Sequence, residues 1–462
     1  MKKAKKVLLI IAIVLCSVVV LIGATLGGLF LHSTCYTVPE QAPSIENNTG
    51  LVQASGRSLY DPQGNQLQLV GVNAGQILLQ EGWMSLFAVE PLKNADGSYV
   101  KDDGDNIQYP EFTEEEFRNA LAANPNLSGH DMDALLEYYW ECFFSEEDFR
   151  IIKEDLGLNT IRLPFYWRNL INDDLTLKEE DEAFSYLDWF LSMAAKYELY
   201  IVLDLHGAPG SQNGYEHSGT DHVGQADFWT NEAYVDSVVA MWEMVAKHYT
   251  DTQPELGKWI ATYDILNEPT YTYGGSTNKA CWEVFDRIYD AIRGTGDRHV
   301  ITMEGCWDFS TLPDPADYGW ENVMYEYHWY NWWSSILRYE VLVAYHDSRN
   351  IGKDYNVPVF IGEFSCFEDR DAWNYMLSLF DSRGYNWTVW NYKTCVTGWW
   401  TSSWGVYTCQ MKAITENEDL KCNVATCTYE EYIEFCEKTR TEYCAKSTLW
   451  DVLQDYKTNK NS

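Results

Sequence analysis

The stretch Asp264–Tyr271, DILNEPTY, finishes an apolar run on a glutamate. A carboxylate drawn into a protein interior is costly to desolvate unless partners receive it. Glu268 therefore either closes a strand by accident or is held there for chemistry. A second glutamate, Glu363, stands near the end of VPVFIGEFS. Other polar residues end similar runs: Arg162 in TIRLPF, His206 in YIVLDLHG, Asn267 beside Glu268, and His328 and Tyr330 in VMYEYHWY, while Trp390 lies in NWTVWNYK. Two carboxyl groups on either side of a glycosidic bond can cleave it, one protonating the leaving oxygen while the other acts on the opposite face of the sugar. One must be held protonated and the other ionised. If Arg162 reaches Glu363 it favours the anion there, which leaves Glu268 as the acid. Glu304, in HVITMEG, is the rival carboxylate.

These residues can cooperate only if the strands that carry them share one end. Eight strand-like runs are readable, at residues 67–74, 160–165, 200–207, 261–269, 299–305, 323–330, 357–365 and 386–393. Several are almost continuously apolar, as strands covered on both faces are. Helical patterns separate them. In YVDSVVAMWEMVAKHY, Val235, Val238, Val239, Trp242, Val245, Ala246 and Tyr249 recur at helical spacing. Eightfold strand–helix alternation predicts an α/β fold, a (β/α)8 TIM barrel with insertions, whose C-terminal strand ends form the catalytic face. An open doubly wound sheet would usually carry a glycine-rich phosphate turn after its first strand, and VGVNAGQ is not one. Strands four and seven of a closed barrel lie nearly opposite each other, so Glu268 and Glu363 are expected to converge over its axis. Residues 80–147 and the cysteine-rich part at about 394–446 exceed a plain barrel, and the first of these is expected on the active-site rim.

The chain of 462 residues has 69 acidic against 33 basic residues, a net charge of -36. Such a body repels nucleic acid and anionic membranes, and a neutral or cationic partner is expected. Aromatic residues make up 15%, with 20 Trp and 32 Tyr, which serve either a large core or flat platforms for sugar rings. Trp229, Trp307, Trp329, Trp332 and Trp333 are candidate platforms. Asp204 with His206 lacks the second ligand cluster of a metal site, KDDGDN near residue 101 lacks the ligand order of an EF-hand, and the tail holds no Cys-x-x-Cys pair. No metal and no cofactor are expected.

The amino terminus has a lysine head and then no charge from Val7 to Leu31, long enough to cross a bilayer as a helix. Residues 1–35 read as a cytoplasmic head and a transmembrane signal-anchor, residues 36–50 as a linker, and residues 51–462 as one catalytic domain outside the cell. Cleavage and secretion is the alternative. Of the 12 cysteines Cys16 lies inside the apolar run, and the eleven others are expected to form disulfides of unspecified connectivity in that compartment, with at least one left unpaired within the chain. Asn47, Asn126 and Asn386 lie in Asn-x-Ser/Thr patterns.

From about residue 55 to about 408 the sequence resembles glycoside hydrolase family 5. The resemblance rests on IRLPF, LDLHGAPGSQNG, LNEP, EYHWY, IGEFS and WTVWNYK in the family's order. It implies a retaining hydrolase with Glu268 as acid/base and Glu363 as nucleophile. It implies that Asn267 binds the sugar 2-hydroxyl, that Arg162 pairs with the nucleophile, that His206, His328 and Tyr330 line the subsite of the attacked sugar, and that Trp390 stacks on its face. HGAPGSQNGYEHSG is similar to the exo-β-1,3-glucanase branch, whereas the insertion after residue 80 and the cysteine-rich tail depart from it. A β-glucan or β-glucoside is the expected substrate. β-Mannan, a glycosylceramide glycan, or transfer to wall glucan are the alternatives within the family, and a surface lectin is the alternative without catalysis. A monomer is expected.

Overall fold

The computed structural model describes residues 44–101, 112–330, 355–396, 404–410 and 421–460, with Gly23, Gly27, Val343, His346 and Lys353 besides. The expected transmembrane helix and its lysine head, Trp332, Trp333 and most of KDDGDN lie outside the described residues. Among those described, no helix is long and apolar enough to cross a membrane.

Eight parallel strands close on themselves in chain order: β1 Val70–Asn73, β2 Thr160–Tyr166, β3 Tyr200–Gly207, β4 Ile260–Asp264, β5 Val300–Glu304, β6 Val323–Tyr330, β7 Val359–Ser365 and β8 Asn386–Val389. The ring is shut by β8 pairing with β1, Val389 opposite Val72. The barrel is thus the one expected. Strand four is shorter than its apolar run suggests. It ends at Asp264, and Asn267 and Glu268 lie in the turn beyond it.

The two-residue period of a strand sorts the side chains. Along β3, Ile201, Leu203 and Leu205 pack outward in the large core under the helices, while Val202 belongs to a separate cluster at the bottom of the barrel and Asp204 and His206 follow it upward. Strand β6 repeats this: Met324 below, then Glu326, His328 and Tyr330. The bottom cluster joins Val202, Ala261, Val300, Met324 and Phe360 to Val52, Leu59 and Leu69. Leu59 belongs to a small antiparallel sheet, Gln53–Ser55, Ser58–Tyr60 and Gln66–Leu67, which plugs the N-terminal end, and Val52 and Leu69 lie beside it. The interior therefore runs from apolar at its base to charged at its mouth.

The insertion after β1 forms helices α1 Glu114–Ala123 and α2 Met132–Phe143. Thr113 and Glu116 cap α1 reciprocally. The outer ring continues with α3 Ser185–Lys196, α4 Glu232–Lys247, α5 Lys279–Gly294 and α6 Arg370–Ser382, and closes with α8 Thr448–Lys460, after α7 Tyr429–Lys438 of the tail. Asn231 caps α4, and Val235, Val238, Trp242, Val245 and Ala246 bury the stripe seen in its sequence.

The two departures from a plain barrel pack on each other. Cys422–Asn423 pairs in parallel with Phe87–Ala88, the Tyr432 hydroxyl donates to Leu135 O at 2.8 Å, and Asn124 Nδ2 donates to Val424 O and Cys427 O. Beyond β8 the strands β9 Lys393–Val396, β10 Tyr407–Gln410 and β11 Cys444–Lys446 make a separate sheet. Cys409 and Cys444 sit opposite each other in it and form a disulfide. Cys395, Cys422, Cys427 and Cys436 carry free thiols, so the expected cross-linking of the tail is only partly realised. Its remaining cohesion comes from buried aromatic and polar contacts. Asn386 is also not a surface acceptor: its side chain is buried, accepting from Leu69 N at 2.8 Å and donating to Val359 O.

Candidate active site

Glu268 and Glu363 meet over the mouth of the barrel. A carboxylate oxygen of each, with a ring nitrogen of His328, lies within 4.8 Å of the others. Both residues are nearly buried, 4% and 5% exposed. Glu363 Oε1 accepts from Arg162 Nη1 at 2.9 Å and Oε2 accepts from the Tyr330 hydroxyl at 2.7 Å. The phenol keeps its proton, because burial and then the Glu363 carboxylate push its pKa well above the usual value.

Arg162 is fully buried and serves several acceptors. Its Nε donates to Asp264 Oδ2 at 2.9 Å, Nη2 to Asn267 Oδ1 at 2.7 Å, and Nη1 to Asn73 Oδ1 at 3.1 Å. Asp204 Oδ2 lies 3.1 Å from Nη1. One guanidinium cannot neutralise so many acids. Burial accordingly raises the Asp204 and Asp264 pKa values well above the carboxylate range, against the pull of Arg162. His206 Nδ1 faces Asp204 at 2.7 Å. Burial lowers the His206 pKa to about 3, so the ring is neutral: Nδ1–H donates to Asp204, and Nε2 faces Asn267 Nδ2 at 3.4 Å.

Glu268 adopts the left-handed region, φ 42°, an arrangement that costs about 1–2 kcal/mol for a residue with a side chain. The motif GAPGSQNG shows what holds it there. Gln212 Nε2 donates to His206 O and Asn267 O, tying the loop after β3 to the turn after β4. Asn213 Nδ2 donates to Glu268 O at 3.2 Å. The Glu268 amide in turn donates to Glu304 Oε2. Glu304, the rival carboxylate, is therefore a backbone anchor beneath Glu268, and burial raises its pKa well above the usual range.

Electrostatics at Glu268 differ from the expectation of a carboxyl held protonated. Oε1 is 2.8 Å from His328 Nδ1, and Oε2 is 2.9 Å from His217 Nε2. Burial opposes its charge, yet the two imidazoles outweigh burial and hold its pKa below the usual range. His217 lies in HGAPGSQNGYEHSG, a loop whose sequence does not mark which side chain turns inward. Glu81 is likewise unmarked in sequence. It lies 4.0 Å from His206 Nε2, accepts from Trp83 Nε1 at 2.7 Å, and has its pKa pushed up to about 8 by burial. Lys421 of the tail donates to Gly82 O at 3.0 Å and Met84 O accepts from Cys395 N, so the tail braces this stretch.

Trp390 follows β8 and lies nearly parallel to the His206 ring, centroids 5.5 Å apart. Met84, Trp404, Trp83, Tyr330 and Phe367 cluster with it into an aromatic wall. Of the proposed platforms, Trp329 is core beside Phe380, Trp229 is tied by its Nε1 to Gln212 O and Thr270 O, and Trp307 is exposed. A methyl on Gly75 would stand 2.8 Å from the Trp390 ring and 3.0 Å from Asn391 Nδ2. Gly75→Ala is expected to displace that ring and lower kcat/KM on the order of 10- to 100-fold with little loss of thermal stability. Activity assays beside a melting curve check this.

Two sets, Glu268 with His328 and Glu363, and Glu304 with Glu326 and His328, bring donor atoms within 4.8 Å. In the first set each carboxylate oxygen is engaged by His328, His217, Arg162 or Tyr330, and we assign a metal to neither. Dialysis against a chelator is expected to leave turnover unchanged, as measured before and after restoring divalent ions.

A closed barrel with paired carboxylates at the C-terminal ends of strands four and seven defines a class of sugar-cleaving folds. Residues 115–395 match the family described as Cellulase (glycosyl hydrolase family 5), and the chain belongs to that family. It is 36% identical over 287 residues to a protein named Beta-xylosidase from Phanerodontia chrysosporium, covering 61% of this chain and 52% of that protein. It is 32% identical over 212 residues to a Glucan 1,3-beta-glucosidase of Schwanniomyces occidentalis, covering 44% and 46%. The chain thus spans about half the length of the curated relatives it matches. The barrel also superposes on a rutinosidase from Aspergillus niger with TM-score 0.52 at 14% identity, covering 80% of this chain and 98% of that one.

Proposed function

We propose that the protein is a retaining β-glycosidase acting on β-glucan or β-glucosides. The observation that carries this is that one carboxylate oxygen of Glu268 and one of Glu363 lie within 4.8 Å of each other, with His328 Nδ1 at 2.8 Å from Glu268 Oε1 and 3.5 Å from Glu363 Oε2. A retaining pair stands about 5–5.5 Å apart, whereas an inverting pair leaves about 6.5–9.5 Å for a water. In the first step Glu363 attacks C1, and Glu268 protonates the departing oxygen. In the second Glu268 takes a proton from water, which attacks C1 and releases Glu363. Arg162 and Tyr330 hold the Glu363 carboxylate in line from two sides. Asn267 binds the sugar 2-hydroxyl in this reading, which its anchoring by Arg162 and Gln212 supports. His206, His328, Tyr330 and Trp390 line the sugar, and Glu81 adds an acceptor at its rim. The names of the two relatives support a β-linked glucoside or xyloside. We also propose that residues 1–35 tether this body outside the cell membrane, on the strength of the lysine head and the uncharged run.

The test is to incubate the full chain with β-1,3-, β-1,4- and β-1,6-glucans and with mannan, and to follow the first-formed anomer by proton NMR. Release of the β-anomer from a glucan is the expected result. First appearance of the α-anomer would overturn the retaining assignment.

A further inference from the structure

His217 occupies a position between two states. Its Nε2 faces an acceptor, Glu268 Oε2, at 2.9 Å, and also a donor, Asn213 Nδ2, at 3.2 Å. A protonated Nε2 is satisfied by the carboxylate. A deprotonated Nε2 is satisfied by the Asn213 amide, which already lies against Glu268 O. The ring is held for both: it stacks on Tyr215 at 5.3 Å with planes 11° apart, and Tyr215 packs on Tyr273 at 4.5 Å.

We propose that His217 stores the proton that Glu268 delivers to the leaving group, and takes it back when Glu268 acts as base. This rests on the glycosidase reading above. In the first step the Nε2–H bond of His217 breaks and an O–H bond forms at Glu268 Oε2, so that imidazolium and carboxylate become a neutral pair. That O–H proton then passes to the glycosidic oxygen as its bond to C1 breaks, and Asn213 Nδ2–H caps the bare Nε2. In the second step Glu268 takes a proton from the attacking water, and the proton returns to Nε2.

The surroundings of His217 support the assignment. It faces Glu268 from the turn after β4, Glu81 from the stretch after β1, His206 from β3 with ring centroids 6.5 Å apart, and Glu216 and Tyr215 on its own segment. Burial works against its charge, but Glu268, Glu81 and Glu216 together raise its pKa to about 9. Glu268 alone is held low. A carboxyl so depressed would lack its proton at neutral pH, whereas the pair keeps one. The sign follows: the working form persists below about 9 and is lost as pH rises through that value.

The experiment compares pH profiles of kcat/KM for the full chain and its His217→Gln variant. Glutamine keeps an N–H donor near Glu268 but carries no titrating proton. Laminaribiose serves as the unactivated substrate, and 2,4-dinitrophenyl β-glucoside as one whose departure needs no acid. With laminaribiose, the alkaline limb of the variant is expected to move down by at least one pH unit, about a tenfold loss at pH 8. With the aryl glucoside the two proteins are expected to agree within about threefold. Coincident limbs with laminaribiose would overturn the proposal while leaving the glycosidase intact. Absence of cleavage of either substrate by the unaltered chain would instead overturn the glycosidase reading. Ring-nitrogen NMR decides the pairing even then: in Glu268→Gln the His217 titration is expected to fall by at least one unit, and an unshifted titration would contradict the proposal.

Discussion

Glu363→Gln is expected to lower kcat by on the order of 10⁴-fold or more, without loss of glycan binding. The amide fills the same volume and still accepts one hydrogen bond, from Arg162 or from Tyr330. It cannot form the bond to C1. Arg162 would remain fixed by Asp264, Asn267 and Asn73, so the site should stay assembled. Turnover of an unactivated β-glucan by purified variant, beside binding measured by calorimetry, separates lost chemistry from lost structure. Undiminished turnover would show that another carboxylate attacks.

Glu268→Ala is expected to discriminate between leaving groups. Positioned proton transfer contributes about 10²–10⁴-fold, and that contribution matters only where the departing oxygen is a poor leaving group. Cleavage of an oligosaccharide should therefore fall by that factor, while formation of the glycosyl-enzyme from an activated aryl glucoside changes little. The second step loses its base in both cases, so the aryl substrate should show a burst followed by slow turnover. Added azide, which needs no base, should speed that turnover. Equal slowing of both substrates in the burst phase would exclude an acid role. Removing Glu268 also leaves His217 and His328 without their shared carboxylate, and a melting curve is needed beside the kinetics.

The barrel and the positions of its polar strand ends are legible in the sequence because strand and helix periods differ, and because a strand buried on both faces reads as an apolar run. His206 and His328 could be placed because they stand near the ends of such runs; the structure adds that they continue, with Asp204 and Glu326, the inward-facing series from Val202 and Met324. What was not legible depends on loops. Glu81 and His217 belong to irregular segments whose side-chain directions follow no period, and they reach the site only because the tail and the motif GAPGSQNG fix those segments. The charge state of Glu268 was equally out of reach, since it depends on two imidazoles brought from residues 217 and 328. The disulfide Cys409–Cys444 required strand register. Trp329 and Trp307 look alike as sequence, yet one faces Phe380 in the core and the other solvent.

The most direct measurement is to treat the full chain with an activated 2-deoxy-2-fluoro-β-glucoside, which slows release of a covalent intermediate, and to map the adduct by peptide mass spectrometry. A single adduct on the peptide bearing Glu363, formed as activity is lost, is the expected result. An adduct on Glu304 or Glu268 instead would contradict the account.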